Sequence, residues 1–392
     1  MRKDRGYIMP GRNVMSRIVV VTHAYPSAAK PNNCPFVEEL VETWRGQGVD
    51  VHVIKPVILS EYLQLLLKGQ TKKGKNLYPL YFDYTFLRFF RFIPAIRRLH
   101  IRIADKSFQK TVEKKLKLGK DDILYSHFLD SGFCVAALSE KYHIPSYCAV
   151  GESTLWTLEF KNMNEVRRRM DFISGFIAVS SKNKQMLLDH ALAAEEKVRI
   201  FPNGVNLDKI HKLNKAECRK ALNIDENQVV GVFLGHFIER KGPLRVAKAT
   251  DGIEGLKMMY IGKGDQEPEG DNIIFKGMVP HDEVVKYLSA ADFFVLPTQA
   301  EGCCNAIIEA MACGLPVISS NSDFNDDILD ADCSVRIDPN DIDQLRNAVK
   351  RMAADGDLRR VMSEAALKKA ASLSLQDRAA NILRFIGYQQ AG

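Results

Sequence analysis

Short, uniformly apolar runs alternate with segments of helical period along the chain, and this alternation restricts the fold more than any other feature. Residues 17–22 (R-I-V-V-V-T) read as a strand with no polar alternation. A polar, proline-bearing loop follows from His23 to Pro35. Apolar residues then recur at helical spacing at Phe36, Val37, Leu40, Val41 and Trp44; Gly46 and Gly48 end that helix, and residues 49–54 are the next strand. Further strands are expected at 123–126, 146–150 and 176–180, with helices over 132–142 and around Met186 and Leu187. A strand apolar on both faces needs cover on both faces. Strands of this kind separated by helices therefore predict a parallel sheet between two helical layers.

A second set begins after residues 199–206 (R-I-F-P-N-G-V-N), whose Pro202-Asn203-Gly204 is a strong turn signal. Strands are expected at 229–234, 258–261, 272–275, 293–297 and 317–319. Helices are expected at 284–290, 306–313, 342–352 and 358–371, and an amphipathic segment closes the chain at 379–388. A chain of 392 residues is too long for one ordinary core and suits two α/β domains of ~150–200 residues. The expected organisation is an N-terminal Rossmann-like domain over 15–203, rejoined by a C-terminal helix at 376–392, and a C-terminal Rossmann-like domain over 204–375. Residues 1–14 are polar and glycine-containing and read as a disordered extension, with Met15 as an alternative start. Open parallel sheets bind ligands beyond the carboxyl ends of their strands. Two such edges facing each other are expected to form a cleft.

Composition excludes several classes. No apolar run approaches the ~20 residues of a membrane span, and residues 18–21 are too short for a signal-peptide core. None of the eight cysteines forms a C-x-x-C pair, which points to reduced thiols rather than a disulfide frame or a zinc site. The net charge of +7 is unevenly spread: residues 61–120 carry 15 Lys/Arg against 4 Asp/Glu, a net of +11 that leaves −4 for the rest. The same stretch holds Tyr78, Tyr81, Phe82, Tyr84, Phe86, Phe89, Phe90 and Phe92. One reading is a solvated helical face with its aromatics packed inward. The other is a surface for anionic lipid, where each basic side chain is worth ~1 kcal/mol. No nucleic-acid-binding motif accompanies the charge.

The stretch from Thr298 to Ser320 (T-Q-A-E-G-C-C-N-A-I-I-E-A-M-A-C-G-L-P-V-I-S-S) holds the strongest chemical signal. A strand ends at Pro297, a loop carries Glu301, and a helix starts near Asn305, whose side chain is placed to cap it. The first amides of such a helix have no partner within it and suit phosphate oxygens. Glu301 lies before this anion hole and Glu309 a turn inside the helix. Carboxylates repel phosphate, so their partners would be neutral hydroxyls: a sugar on one side, a ribose on the other. Each carboxylate alone suits an ordinary loop or helix-face charge equally well.

This stretch resembles the E-x7-E motif of the family-4 retaining glycosyltransferases, which have the GT-B fold of two Rossmann-like domains facing across a cleft. Residues 200–206 resemble the family's interdomain I-P-N-G-V-D. Residues 235–242 (G-H-F-I-E-R-K-G) resemble its phosphate loop, and Gly262-Lys263-Gly264 the glycine pair after the next strand. Phe275-Lys276-Gly277 and residues 291–297 also have counterparts. In the first domain, the loop from Tyr25-Pro26 to Phe36 and the pair His127-Phe128 match. The resemblance implies that Glu301 holds hydroxyls of the transferred sugar and Glu309 those of the ribose. It implies that Lys241 meets the diphosphate, with Arg240, His236 and Gly242 in the same loop and Gly262 after the next strand. Gly302, Cys303, Cys304, Asn305 and Ala306 would line sugar and phosphates, and Lys276, Gly277 and Met278 the base. His127 would stand at the reacting centre, and Asn33, Phe36, Glu152 and Ser153 on the acceptor side.

The chain departs from the family pattern at several points. His236 stands where the phosphate loop usually carries arginine, Glu301-Gly302-Cys303-Cys304 replaces E-G-F-G, and Glu152 replaces a histidine. The glycine-rich first loop is here Asn32-Asn33-Cys34-Pro35. The implied activity is transfer of a sugar from a nucleotide-sugar, UDP-linked rather than GDP-linked, to a hydroxyl of a glycan or polyprenyl-linked glycan, as in cell-surface polysaccharide assembly. Retention of configuration is expected, with the leaving phosphate oxygen taking the acceptor proton. No metal and no cofactor are expected, since no D-x-D accompanies the Glu301 loop and Asp121-Asp122 and Asp326-Asp327 suit turns or helix starts. Expected partners are the donor and the acceptor, with no nucleic acid. The expected place is the cytoplasm, peripheral at the inner membrane face. Alternatives are a catalytically inactive glycan- or lipid-binding subunit and a sugar-nucleotide 2-epimerase.

Overall fold

A computed structural model of the chain describes residues 16–83, 92–155, 158 and 161–388. The extension read at 1–14, the aromatics Tyr84, Phe86, Phe89 and Phe90, and the last residues of the 376–392 segment lie outside the described residues. Two compact units divide the chain. One comprises Met1–Cys148, Thr157–Gly175 and Leu383–Gly392, and the other Ala149–Trp156 and Phe176–Ile382.

The first sheet is built from β1 (Ile18–Val21), β2 (Val51–Ile54), β3 (Lys72–Lys73), β4 (Asn76–Leu77), β5 (Ile123–His127), β6 (Ser146–Val150), β7 (Gly175–Ala178) and β8 (Val198–Ile200), in the order β3-β4-β2-β1-β5-β6-β7-β8. β1 runs parallel to both β2 and β5, and only the short pair β3 and β4 is antiparallel among the pairings with a described register. Every residue of β1 has no solvent-exposed surface, as its unbroken Ile-Val-Val-Val requires. The helices between are α1 (Pro35–Gly46), α2 (Leu59–Leu67), α3 (Pro94–Lys115), α4 (Leu129–Tyr142), α5 (Met163–Met170) and α6 (Ser181–Asp189). α1 turns Val37, Leu40, Val41 and Trp44 inward, and the Trp44 ring meets Tyr125 of β5 edge-on at 5.1 Å.

The second sheet follows α7 (Lys215–Ala221). It comprises β9 (Val229–Leu234), β10 (Leu256–Ile261), β11 (Ile273–Gly277), β12 (Phe293–Leu296), β13 (Val317–Ser320) and β14 (Ser334–Ile337). Its order is β11-β10-β9-β12-β13-β14, and every pair is parallel. α8 (Pro243–Thr250), α9 (Val284–Ala290), α10 (Asn305–Ala312), α11 (Ile342–Ala354), α12 (Gly356–Ala371) and α13 (Leu375–Phe385) complete the chain. The fold is thus α/β with two doubly wound parallel sheets. In each, the chain moves outward in one direction and then returns to build the other side, from β1 to β5 in the first sheet and from β9 to β12 in the second. A crevice opens at the carboxyl ends of the strands where the direction reverses.

Several sequence expectations are corrected. α4 begins at Leu129, earlier than the expected 132, after Phe128 in a strained conformation with φ 68° and ψ 152°. The basic stretch is only partly a helix with inward aromatics: Tyr78 is buried, but Phe82 and Phe92 are 57% and 75% exposed. α2 turns Leu59, Leu63, Leu66 and Leu67 outward and buries Glu61. Position supplies the reason, because the Lys55 ammonium stands 2.6 Å from that carboxylate, the Lys30 ammonium 2.9 Å away, and the Ser27 hydroxyl donates to it at 2.8 Å.

Candidate functional site

The site grows from three loops stacked at the carboxyl edge of β9, β10 and β11. The Gly235 amide donates to the Ile261 carbonyl at 2.9 Å, the Phe237 amide to the Lys263 carbonyl at 2.8 Å, and the Gly262 amide to the Gly277 carbonyl at 2.8 Å. Such contact leaves no space for a side chain. A Cβ on Gly262 would lie 1.9 Å from the Gly235 carbonyl oxygen, and one on Gly264 2.2 Å from that of Phe237. Residues 235–242 then turn back on themselves, with the amides of Lys241 and Gly242 both donating to the Ile238 carbonyl. Gly242, at φ 78°, starts α8.

The loop after β12 meets this turn. The Gln299 amide donates to the Arg240 carbonyl at 2.8 Å, and the Arg240 guanidinium donates to the Ala300 carbonyl. The meeting point is the reversal of the second sheet, between β9 and β12. Here the structure brings Glu301, Lys241 and Arg240 together. One carboxylate oxygen, Oε1 of Glu301, lies 2.6 Å from Lys241 Nζ and 2.9 Å from an Arg240 guanidinium nitrogen, and accepts from the Thr298 hydroxyl at 2.8 Å. The Lys241 side chain is only 12% exposed and Arg240 39%. Burial works against a charge on Lys241, but its surroundings, the Glu301 carboxylate among them, outweigh burial and hold its pKa above the ordinary lysine value. Lys241 is therefore a fixed cation across the neutral range.

α10 rises from the same loop, so its first-turn amides, which have no acceptor within the helix, face this cluster of charges along the chain. The expected cap is corrected: Cys304, not Asn305, occupies the cap position, and no side chain caps the helix. Asn305 is the first helical residue, and its Oδ1 accepts from the Asn203 side chain at 2.7 Å. Packing pushes the Cys303 thiol up to about 12 and burial raises Cys304 as well, so both remain neutral. Gly302 is buried, and a Cβ there would meet the Gly151 carbonyl oxygen at 2.1 Å. Ala306 and Glu309 lie on α10, and the Glu309 carboxylate is 3.6 Å from His281 Nε2 rather than near a cation of the Glu301 cluster. Lys276 pairs with Glu267 at 3.0 Å, and Met278 is 55% exposed. His236 is exposed at the top of the turn.

Glu152 and Ser153 belong to the same compact unit as Glu301. The Lys182 ammonium donates to the carbonyls of Glu301 at 3.2 Å and Ser153 at 3.4 Å, tying the two segments together. Glu152 is buried; its carboxylate accepts from the Gly151 amide, and its carbonyl accepts from the Asn183 side chain at 2.8 Å. In the first unit, Phe36 and His127 meet edge-on at 6.0 Å, at the reversal between β1 and β5. The Asn33 amide side chain donates to the His23 carbonyl at 2.9 Å and fixes the loop above them. Thr298, Lys182, Asn203 and His281 were not singled out from sequence; only Asn203 carried a signal, as the centre of the Pro-Asn-Gly turn. Asp122 pairs with Arg17 at 2.6 Å, and Asp327 accepts from the Ser181 hydroxyl at 2.7 Å. Among the described residues, no group of three His, Cys, Asp or Glu side chains is placed to hold a metal ion. No described helix is long and apolar enough to cross a membrane.

Residues 214–369 match the family described as Glycosyl transferases group 1, and residues 36–209 match Glycosyltransferase Family 4. The chain is 28% identical over 324 residues, 78% of its length and 81% of the relative's, to a putative teichuronic acid biosynthesis glycosyltransferase, TuaC, of Bacillus subtilis. It is 26% identical over 292 residues, 67% and 74% of the two lengths, to the UDP-Gal:alpha-D-GlcNAc-diphosphoundecaprenol alpha-1,3-galactosyltransferase of Escherichia coli. Among solved structures, Anabaena Alr3699/HepE in complex with UDP superposes with a TM-score of 0.69, at 14% identity, over 95% of this chain and all of that one. Both halves of the chain, with their two doubly wound sheets, therefore place it among the family-4 glycosyltransferases of GT-B fold.

Proposed function

We propose that the chain transfers a sugar, with retention of configuration, from a UDP-sugar to a hydroxyl of a lipid-linked glycan. The observation that carries this reading is the gathering of Lys241 and Arg240 on Glu301 at the sheet reversal, beside the first turn of α10. Departure of a nucleoside diphosphate builds negative charge, and a fixed, poorly hydrated cation placed in advance stabilises it without reorganisation. The same charges need no metal ion as counter-charge, so the reaction is taken to be metal-independent. Before donor arrives, the Glu301 carboxylate holds both cations in place. With donor bound, phosphate shares them, and the carboxylate turns toward the sugar hydroxyls. The α10 amides line the phosphates, Glu309 the ribose, and the loops at Gly262 and 276–278 the base. The leaving phosphate oxygen takes the acceptor proton.

The acceptor falls to the first domain, through Asn33, Phe36 and His127. The E. coli relative's name, which specifies a UDP-sugar and a diphosphoundecaprenol acceptor, supports donor and acceptor class. The outward Leu59, Leu63, Leu66 and Leu67 of α2, close in sequence to Lys68, Lys72 and Lys73, support peripheral docking on an anionic cytoplasmic membrane face. Replacing Lys241 with Ala is expected to lower kcat by ~10²–10³, and an unchanged kcat removes it from the leaving-group role. NMR of the product's anomeric configuration tests retention. Co-sedimentation with liposomes with and without anionic lipid tests docking, and no binding at low salt refutes it.

A further inference from the structure

A second charged site lies in the first unit, away from any residue assigned above. A cavity of about 630 Å³ opens between α3, α4 and α5, a volume typical of small-molecule sites. Its cations are Arg98, Arg102 and Lys106 from α3, Lys161, and Arg169 from α5, against the carboxylates Asp105 and Glu165. Both carboxylates are already taken: Asp105 by Lys161, and Glu165 by Arg169 at 2.8 Å. Arg98, Arg102 and Lys106 have no carboxylate within ion-pair distance among the described residues. They stand at i, i+4 and i+8 on one helix face, where like charges repel and weaken the helix. An anion between them relieves that repulsion.

The floor of the cavity is already prepared for one. The Lys161 ammonium and the Arg169 guanidinium both lie over the Phe133 ring, 4.4 and 4.3 Å from its centroid. Nε and Nη1 of Arg169 are buried without a hydrogen-bond acceptor, a cost of several kcal/mol for charged donors that a ligand oxygen removes. Burial raises the pKa of Asp105 although Lys161 opposes it. One turn beyond Asp105, Phe108 of α3 packs at 4.4 Å against His23, the residue that opens the loop carrying Asn33. The helix that lines one side of the cavity therefore also packs on the strand end where the acceptor is placed.

We infer that this cavity binds a phosphate-bearing anion, with Arg98, Arg102, Lys106 and Arg169 as its ligands. Its natural occupant is the phosphate group of the acceptor's lipid carrier. That identity rests on the acceptor reading above, whereas the anion site itself does not.

The test measures binding of inorganic pyrophosphate by calorimetry, and of phosphatidylcholine vesicles with and without phosphatidic acid, to the full chain. Three proteins are compared: the unaltered chain, R98E/R102E/K106E, and K241A. A thermal shift with UDP checks folding, and R98Q/R102Q/K106Q replaces the reversed variant if that one does not fold. With the donor loop filled by excess UDP, the expected result is a loss of pyrophosphate affinity of about tenfold or more in the α3 variant; without UDP, K241A loses only the pyrophosphate binding that UDP displaces. Loss of phosphatidic-acid binding in the same variant identifies a lipid-borne phosphate, and loss of pyrophosphate alone a soluble one. Affinity lost only in K241A assigns the anion to the Glu301 loop and overturns the proposal while leaving the donor reading intact. Equal affinity in all three proteins, or no binding of either probe, overturns it as well.

Discussion

Gly262→Ala tests whether the donor loops depend on backbone contact. The added Cβ would sit 1.9 Å from the Gly235 carbonyl oxygen and 2.9 Å from the Phe237 ring. A relaxed carbon–oxygen contact needs ~3.3 Å, so the ends of β9 and β10 must part by about 1.4 Å. That parting strains or breaks the hydrogen bonds from the Gly235 and Phe237 amides, at 2.9 and 2.8 Å. Two such bonds and the overpacking together cost about 3–5 kcal/mol. Lys241 rides on the displaced turn, and a misplacement near 1 Å costs about 10²-fold in turnover. Urea unfolding, UDP affinity and kcat are to be compared with Gly46→Ala, where no atom lies within 4 Å of the new Cβ and a change below about 1 kcal/mol is expected. If Gly262→Ala unfolds at the original midpoint and binds UDP as before, the stacked-loop argument is wrong.

Two further outcomes follow from strain and burial. Phe128 has a φ of 68° and ψ of 152°, a conformation that only glycine adopts without strain, so Phe128→Gly should be more stable than Phe128→Ala by about 1–2 kcal/mol; equal stabilities would show that no strain is stored there. Burial alone would raise the pKa of Glu61, but hydrogen bonds from Lys55 and Lys30 outweigh it and hold the carboxyl below the usual range. Its contribution is then fully present above the unfolded value of about 4.3 and lost as pH falls through the lower folded value. Lys55→Met should cost about 3 kcal/mol at neutral pH, and the double change K55M/E61L should recover part of this and flatten the acid limb of an unfolding titration.

The central strands of both sheets were legible because they are buried on both faces, and an unbroken apolar run such as Ile18–Val21 has few alternatives, whereas the exposed β3, the two-residue β4 and the edge strand β8 were not read. β14, at the edge of the second sheet, was not, because its Arg336 reaches out to pair with Asp326 and breaks the apolar pattern. α2 was missed because all its leucines but Leu65 face outward and its one acid inward, the reverse of the usual amphipathic signal. The Glu301 loop stood out as a motif. Its partners Thr298 and Lys182 did not, since a lone threonine or lysine carries no spacing.

The alternation of buried strands with helices, the glycines at 262 and 264 and the acid before α10 were therefore determined by sequence alone, because local sterics and burial act on neighbours along the chain. Only the tertiary structure decided that Lys241, Arg240 and Thr298 share one oxygen of Glu301, that Asn203 rather than a helix amide engages Asn305, and that three cations of α3, without an ion-pair partner among the described residues, line a cavity. The reason is physical: the Arg240–Glu301 and Asn203–Asn305 contacts join residues about 60 to 100 positions apart, and the strand order that makes them neighbours leaves no trace in any single segment.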